Sequence, residues 1–588
     1  MNELTSGREP ITYVEIEQDV CTCYYTGSRC FTTGIQKSYA TNATCGDTEN
    51  LFALNPEPLT LRFTIPHAGN ESGIYAIPSV TKVTTAPTVI NPGGGGKRSG
   101  PLGQRSSLKV TFQDHPGSDN VVDPFLSDRG FNPMNRGTWW GKWIARNPYY
   151  NNRIIRVREG YRGQALEDMM TRTYLMERIE GPDSNGRVTI SAKDILRLAD
   201  DDKAQAPKPS TGELIIEYGK DDAITMLRVT RADAADYPIN GTVRVNRELL
   251  AYTTVTTIGP DEIQLNGITR ATDGTEARGH KAGDRVQLCL RYNLTRVDAL
   301  AYEWLVTYAG IPTEYIDYPA WQAEAALWLD QFDLTGIITE PTGITKLLGE
   351  ISEQCLFHIW WDERAQKIRF EALKPPLFDD VPEINDDKNI VADSVKIKDD
   401  PASRASQIWV FWGQRDPTER LDDDANYQRI RVRSDLEAEM PTQYDDQRIR
   451  KIYSRWLHSE GQVINVSTRL LNRYRDTPKT ITLDLDAKDR ALWTGDLVDV
   501  TTRGITDFTG LAASTRCQIM SAEEIDPGHR VRYEMEIYEF AIGALFGRWM
   551  ESGAPTFEDA TDEEKLAGMW WSGIDGKMPD GSDGYTWI

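Results

Sequence analysis

Short runs that alternate apolar and polar residues at period two recur along this chain, among them SSLKVTFQD (106–114), RIIRVREGY (153–161), TYLMERIEG (173–181) and GRVTISAKD (186–194). Period two puts successive side chains on opposite faces of a strand, so each run can bury one face and wet the other. Gly, Asp and Asn turns separate the runs, which makes an antiparallel barrel or sandwich the expected fold there. With 588 residues the chain exceeds what one hydrophobic core supports, so several domains are expected. Its 16 Trp and 24 Tyr supply the apolar area for those cores.

The pattern divides the chain into a multidomain, mainly β protein with α+β parts. Residues 1–100 read as a β-rich module (ITYVEIE, LTLRFTI) that carries a cysteine segment and ends in NPGGGGKRSG. That glycine run is no P-loop, because Asn91 and Arg98 stand where Gly and Ser or Thr are needed. A first β-barrel is expected over 101–205 and a small inserted β domain over 206–292, after the linker-like ADDDKAQAPKPSTGEL (199–214). The period then changes to 3.6 in TRVDALAYEWLVTYAG (295–310) and TGITKLLGEISEQCLF (342–357), which predict helices. HIWWDERAQKIRFEAL, next in line, predicts a hairpin and completes an α+β domain over 293–375. A second barrel region is expected over 376–545, with helices near 443–458 and at 463–475. Residues 546–588, rich in Gly, Asp and Trp, read as a C-terminal arm.

Charge narrows the function. The formal net charge of −23, from 66 basic and 89 acidic residues, opposes a surface that wraps nucleic acid. RGTWWGKWIARNPYY (136–150) mixes Trp, Tyr, Arg and Lys and could stack bases, but aromatic packing in a core is favoured. No run of about 18 apolar residues occurs, and the start MNELTSGREP lacks the basic and apolar regions of an export signal.

Catalytic patterns do not emerge. His67, His115, His280, His358, His458 and His529 stand singly, with no HExxH, and neither GxSxG nor a strand-linked GxGxxG is present. Asp114-His115 is at most half of an acid/base pair and reads as surface. Asp422, Asp423 and Asp424 lack EF-hand spacing and read as a solvated loop. The one concentrated set of metal-type ligands is Cys21-x-Cys23-x6-Cys30-x14-Cys45. Four thiolates can hold zinc or an iron–sulfur cluster. Free thiols and a late-formed disulfide stay open beside that reading. Cys289, Cys355 and Cys517 sit in apolar patterns and read as buried small hydrophobes.

The stretches TVINPGGG, SLKVTFQDHPGSD, RGTWWGKWIARNPYYNNRIIRVREGY, IEGPDSNGRVTISAKDILRLADD and QAPKPSTGEL together resemble the tail-tip hub proteins of long-tailed, non-contractile bacteriophages, most strongly over 78–215. The resemblance implies hub-type β-barrels with an inserted small β domain and a helix-hairpin domain. It implies a non-enzymatic structural part that closes the tail tube as a homotrimer. Its partners would be the distal tail protein, the tape-measure protein and a central fibre or spike, with DNA only passing through the lumen. The location implied is the virion tail tip, with host cytoplasm during assembly. Some such proteins, in lambda-type phages, hold a [4Fe–4S] cluster on clustered cysteines. Cys21-x8-Cys30 matches the first pair of that pattern and Cys45 its last member, while Ser38 stands where the third cysteine belongs, so Cys23 becomes the candidate fourth ligand. A tail-associated enzyme that degrades cell wall or polysaccharide is the alternative reading, and a redox enzyme using the cysteines a third.

Overall fold

The computed structural model describes residues 7–22, 41–45, 48–49, 52–66, 73–91, 102–117, 137–230, 237–374, 381–507, 509–538, 548–549 and 555–569. The architecture is mainly β, with several sheets and few helices. Strands β1 (Pro10–Gln18), β2 (Leu59–Thr64), β3 (Val80–Ala86), β4 (Ser107–Gln113), β5 (Ile154–Tyr161), β6 (Met170–Glu180) and β7 (Arg187–Lys193) form one antiparallel sheet in the order β2-β1-β5-β6-β7-β4-β3. Its edges approach each other where Phe63 bridges Ile77 just before β3, so the sheet curls towards closure. The alternation read in the sequence becomes its lining: Val14 and Ile16, Leu108, Val110 and Phe112, Ile155 and Val157, Val188 and Ile190 all point inward. This one sheet takes strands from both sides of position 100, the boundary drawn from the glycine run. Residues 92–100 themselves lie outside the described ones.

A helix from Trp139 to Arg146 fills the remaining space, and its Trp139, Trp140 and Trp143 are buried. The Trp140 ring lies 4.5 Å from Phe112 and 5.2 Å from Phe63. The three tryptophans of the aromatic cluster are therefore core, while Tyr149 of the same run is exposed.

The inserted module has its own core of Leu227, Val229, Val243, Val245, Leu250, Ile263, Leu265 and Val286. Its sheets are built from β9 (Met226–Thr230), β10 (Gly241–Val245), β11 (Glu248–Tyr252), β12 (Thr254–Gly259), β13 (Glu262–Asn266) and β14 (Val286–Arg296). The approach to it, β8 (Gln205–Ala206), is docked rather than loose, with Ala204 and Ala206 buried in the main core. Strand β14 runs on past the module and pairs with β15 (Asp333–Ile338).

In the next body the helices Val297–Glu303, extended by a wider turn to Tyr308, and Ile344–Cys355 match the periodicity. Before the second of them, β16 (Thr342–Gly343) pairs with β8. The hairpin of β17 (Phe357–Asp362) and β18 (Lys367–Ala372) is present. A further helix, Tyr318–Trp328, was not expected, although Asp317 caps it and a proline opens it.

Beyond the hairpin, β19 (Glu383–Asn385) and β20 (Lys396–Asp399) join β24 (Lys479–Asp486), β25 (Leu497–Thr506), β26 (Ala512–Asp526) and β27 (Arg530–Ile537) in a six-stranded sheet. Between them, β21 (Gln407–Gln414), β22 (Tyr427–Ser434) and β23 (Ile449–Tyr453) make a separate three-stranded sheet that packs into the helical body. The helix expected near 443–458 is therefore wrong. Ile449, Ile452 and Trp456 have helical spacing, but the buried central strand β21 needs a second neighbour, and β23 supplies it in parallel. The helix expected at 463–475 forms at Glu460–Tyr474, started by a capping box of Ser459 and Gln462. Among the described residues no helix is long and apolar enough to cross a membrane. Of the arm, a short helix, Asp562–Ala567, is described.

Replacing Trp140 by Ala should cost about 3–5 kcal/mol, because the emptied space is walled by strands that cannot collapse together. Urea denaturation followed by tryptophan fluorescence checks this, and a loss under about 1 kcal/mol would show that the helix is dispensable to the barrel.

Candidate functional site

Strand β1 leads directly into the cysteine segment. Thr22 donates its N–H to Ala53 O at 2.8 Å and Asn55 to Val20 O at 2.9 Å, which fixes Cys21 against the chain returning towards β2. Cys21 is buried and packs with Cys45 and Phe52. The Ala53 N–H donates to Cys21 Sγ at 3.4 Å, the kind of bond that stabilises a thiolate ligand. Thr41 Oγ1 donates to Arg146 O at 2.9 Å and so ties the same segment to the end of the tryptophan helix. Two of the four predicted ligands, Cys21 and Cys45, thus come together. Cys23, Cys30 and Ser38 lie outside the described residues. Cys289, Cys355 and Cys517 are buried in three different cores. Burial pushes the Cys289 thiol up to about 12 and raises that of Cys355 further, which suits inert core residues.

The other sequence candidates have structural work. Asp114 Oδ1 accepts from the N–H groups of His115 and Trp140, at 2.9 and 2.8 Å, so it seats the tryptophan helix. Asp422 is held by Arg420, and Asp424 by Lys451 and Tyr453, on an exposed loop. Among the described residues no three His, Cys, Asp or Glu are grouped as a metal site would need. His280 is buried, with Nε2 2.8 Å from Glu248 Oε2. Arg270 and the Arg278 N–H also serve that carboxylate, and together these bonds outweigh its burial and lower it to about 2.

The most distinctive chemistry lies where three bodies meet. Glu159 on β5 and Arg172 on β6 are in phase with the inward Val157 and Tyr174, so they lie on the inner face of the barrel sheet, and both are buried. Arg172 pairs with Glu159, and its Nη1 lies 3.8 Å from Glu363 Oε2 in the hairpin turn. Thr88 Oγ1 donates to Trp361 O at 3.3 Å, and the Ile90 N–H to Met520 O at 3.0 Å. Trp360 packs between Ile90 and Met520. Gly495, at φ +100°, leaves room for that indole, since a Cβ there would stand 2.5 Å from Trp360 Cζ2. From the far side comes Glu524 on β26, whose two carboxylate oxygens are buried without a hydrogen bond among the described residues, and Arg364, beside Glu363 in the hairpin turn, places its guanidinium 3.8 Å from the centre of the Trp493 ring. Tyr161 Oη donates to Gly528 O at 2.8 Å, and Arg8 binds Asp486 at 2.7 Å.

Burial raises the carboxyl groups of Glu159, Glu363 and Asp194 although Arg172 or Arg105 pulls each the other way. Glu363 is pushed up to about 7. The guanidinium of Arg172, with carboxylates on either side, is held well above its usual range in spite of its burial. None of these groups is open to a substrate. The arrangement holds bodies together instead of exposing reactive atoms.

No family model matches this chain, and no curated protein does. Solved structures are similar at low identity. A 43 kDa tail protein of prophage MuSo2 from Shewanella oneidensis has 10% identity and a TM-score of 0.34, over 78% of this chain and 94% of the other. A tail protein from Neisseria meningitidis MC58 has 12% identity and a TM-score of 0.33, over 78% and 98%. The prophage tail protein gp18 from Listeria monocytogenes EGD-e has 11% identity and a TM-score of 0.30, over 73% and 85%. Superpositions this loose carry no chemistry from one chain to the other.

The carboxyl shifts give the junction a pH dependence. Glu363 has a folded value of about 7, above the 4.5 of an unperturbed Glu, so its contribution is complete below about 4.5 and is lost as pH rises through 7. The loss is on the order of 3 kcal/mol. Glu363→Gln should flatten the fall in urea midpoint between pH 5 and 8, and an unchanged slope would place the titration elsewhere.

Proposed function

We propose that this chain is the structural hub of a bacteriophage tail tip or baseplate, a non-enzymatic part that closes the tail tube and joins the distal tail ring to a central fibre or spike. The observation that carries the reading is the hub-like wording of residues 78–215, which supply strands β3 to β7 and the tryptophan helix. The charged junction supports it as well. A part that transmits force between tube and fibre must not flex between its bodies, and here they share buried ion pairs and a common core into which Leu175 of the first barrel reaches. As a homotrimer the chain would border the channel taken by the tape-measure protein and DNA, and the −23 charge would keep DNA from adhering there.

The purified chain with its distal tail protein should form threefold particles by native mass spectrometry and electron microscopy. A strict monomer, or release of sugars from cell wall or capsule, would overturn the hub.

The cysteine segment fits a structural metal in this reading. Cys21 and Cys45, already packed together, would hold it with Cys23 and Cys30, as a [4Fe–4S] cluster or zinc. Such a group supplies a cross-link to a segment with little core of its own. Protein purified without oxygen should contain stoichiometric iron or zinc by elemental analysis, and Cys21→Ser should lose it. Metal-free wild type would leave Cys21 and Cys45 as packing residues.

A further inference from the structure

The protein is strongly acidic, yet one cleft on it is lined by arginines. It has a volume of about 480 Å³ and lies where the Asp273–Gly274 turn of the inserted module meets β15 and the ends of β21 and β22. Arg291, Arg415, Arg429 and Arg455 border it, with Asp273 as its one carboxylate. Two of the guanidiniums are already matched, Arg291 by Asp273 and Arg455 by Glu350. Among the described residues Arg415 uses only Nε, donating to Tyr427 O at 3.3 Å. The Arg429 guanidinium sits over the Trp412 ring, 4.7 Å from its centre, and among the described residues it has no carboxylate partner. Contact with an aromatic face holds a guanidinium in place and uses none of its N–H donors. Beside them Gln414 Nε2 is buried and among the described residues has no hydrogen-bond acceptor. A buried donor left unmet is costly, so an acceptor that entered the cleft would recover that penalty.

We propose that this cleft is a phosphate-binding site. Arg415 and Arg429 hold the oxyanion through their free N–H groups, and Gln414 Nε2 adds a neutral donor. Two unmatched guanidiniums favour a phosphate, which carries between one and two negative charges at neutral pH, over the single charge of a carboxylate. The ligand would touch both the inserted module and the body, so its binding would also fasten the module.

Isothermal titration of inorganic phosphate into the full-length chain, at constant ionic strength, tests the site. Saturable binding of one phosphate per chain is expected, weakening with added salt. Arg415→Gln with Arg429→Gln should lower the affinity at least about tenfold. Both residues are exposed, so the fold should survive, and circular dichroism verifies it. Gln414→Glu offers an independent variant, in which an added negative charge should abolish binding. Arg429→Lys keeps the charge but loses the planar, multi-donor guanidinium over Trp412, and should bind more weakly than wild type. Acetate serves as the carboxylate arm. Acetate that binds as tightly as phosphate overturns the proposal, as does phosphate binding that survives in the double variant and in Gln414→Glu.

Discussion

Arg172 sets the terms for the rest of the molecule. A guanidinium on the inner face of a barrel has no water to point into, so this one must find its counter-charges within the protein. Glu159 comes from its own sheet and pairs with Arg172 inside the barrel, while Glu363 comes from the hairpin turn and reaches Arg172 only when the bodies are docked. A buried pair adds little stability over a well-packed apolar contact, whereas a buried charge with a missing partner is expensive. The network therefore acts mainly against wrong dockings. Around it the neutral contacts finish the fit, with Trp360 settled between Ile90 and Met520 over the bare backbone of Gly495.

The bodies keep separate cores only in part. Leu102, Leu175 and Leu196 of the first barrel region, the helices around Trp304 and Leu347, and the strands around Val410 belong to one continuous apolar cluster. The six-stranded sheet keeps its own, around Ile481, Val500 and Tyr533. It meets the rest through polar groups such as Tyr161 with Gly528 and Arg8 with Asp486. Apolar fusion on one side and charged docking on the other make a stiff object whose weakest seam is polar.

Much of this was legible in the residues. Alternation at 106–114 and 153–194 became strands because one face of each had an inward neighbour, and the tryptophans at 139–143 became core because so much apolar area is rarely left wet. Local patterns failed where a distant strand decided the outcome. Residues 449–453 have a spacing that suits a helix, but β21 holds them extended. The helix from Tyr318 was missed because its alanines give little contrast between faces, although Asp317 and the following proline were readable signals. Cys21 and Cys45 were singled out by spacing and do come together. Glu363 and Glu524 were invisible, since each looks like an ordinary surface charge until another body covers it, whereas Glu159 and Arg172 are in phase with the inward Val157 and Tyr174 of their own strands.

Strand β14 has a consequence for how such a chain can change over generations. Its first half pairs within the inserted module, through Val286 with Val245, and its second half pairs with β15, through Leu290 with Ile338. The exit from the module therefore lies in mid-strand, not in a loop. Recombination that exchanged the module there would have to preserve the parity of the strand, since adding or dropping a single residue would turn the side chains of one half to the opposite face. Exchange on the entry side, through the docked segment before β9, is free of that rule, so the two ends of the insert evolve under different arithmetic.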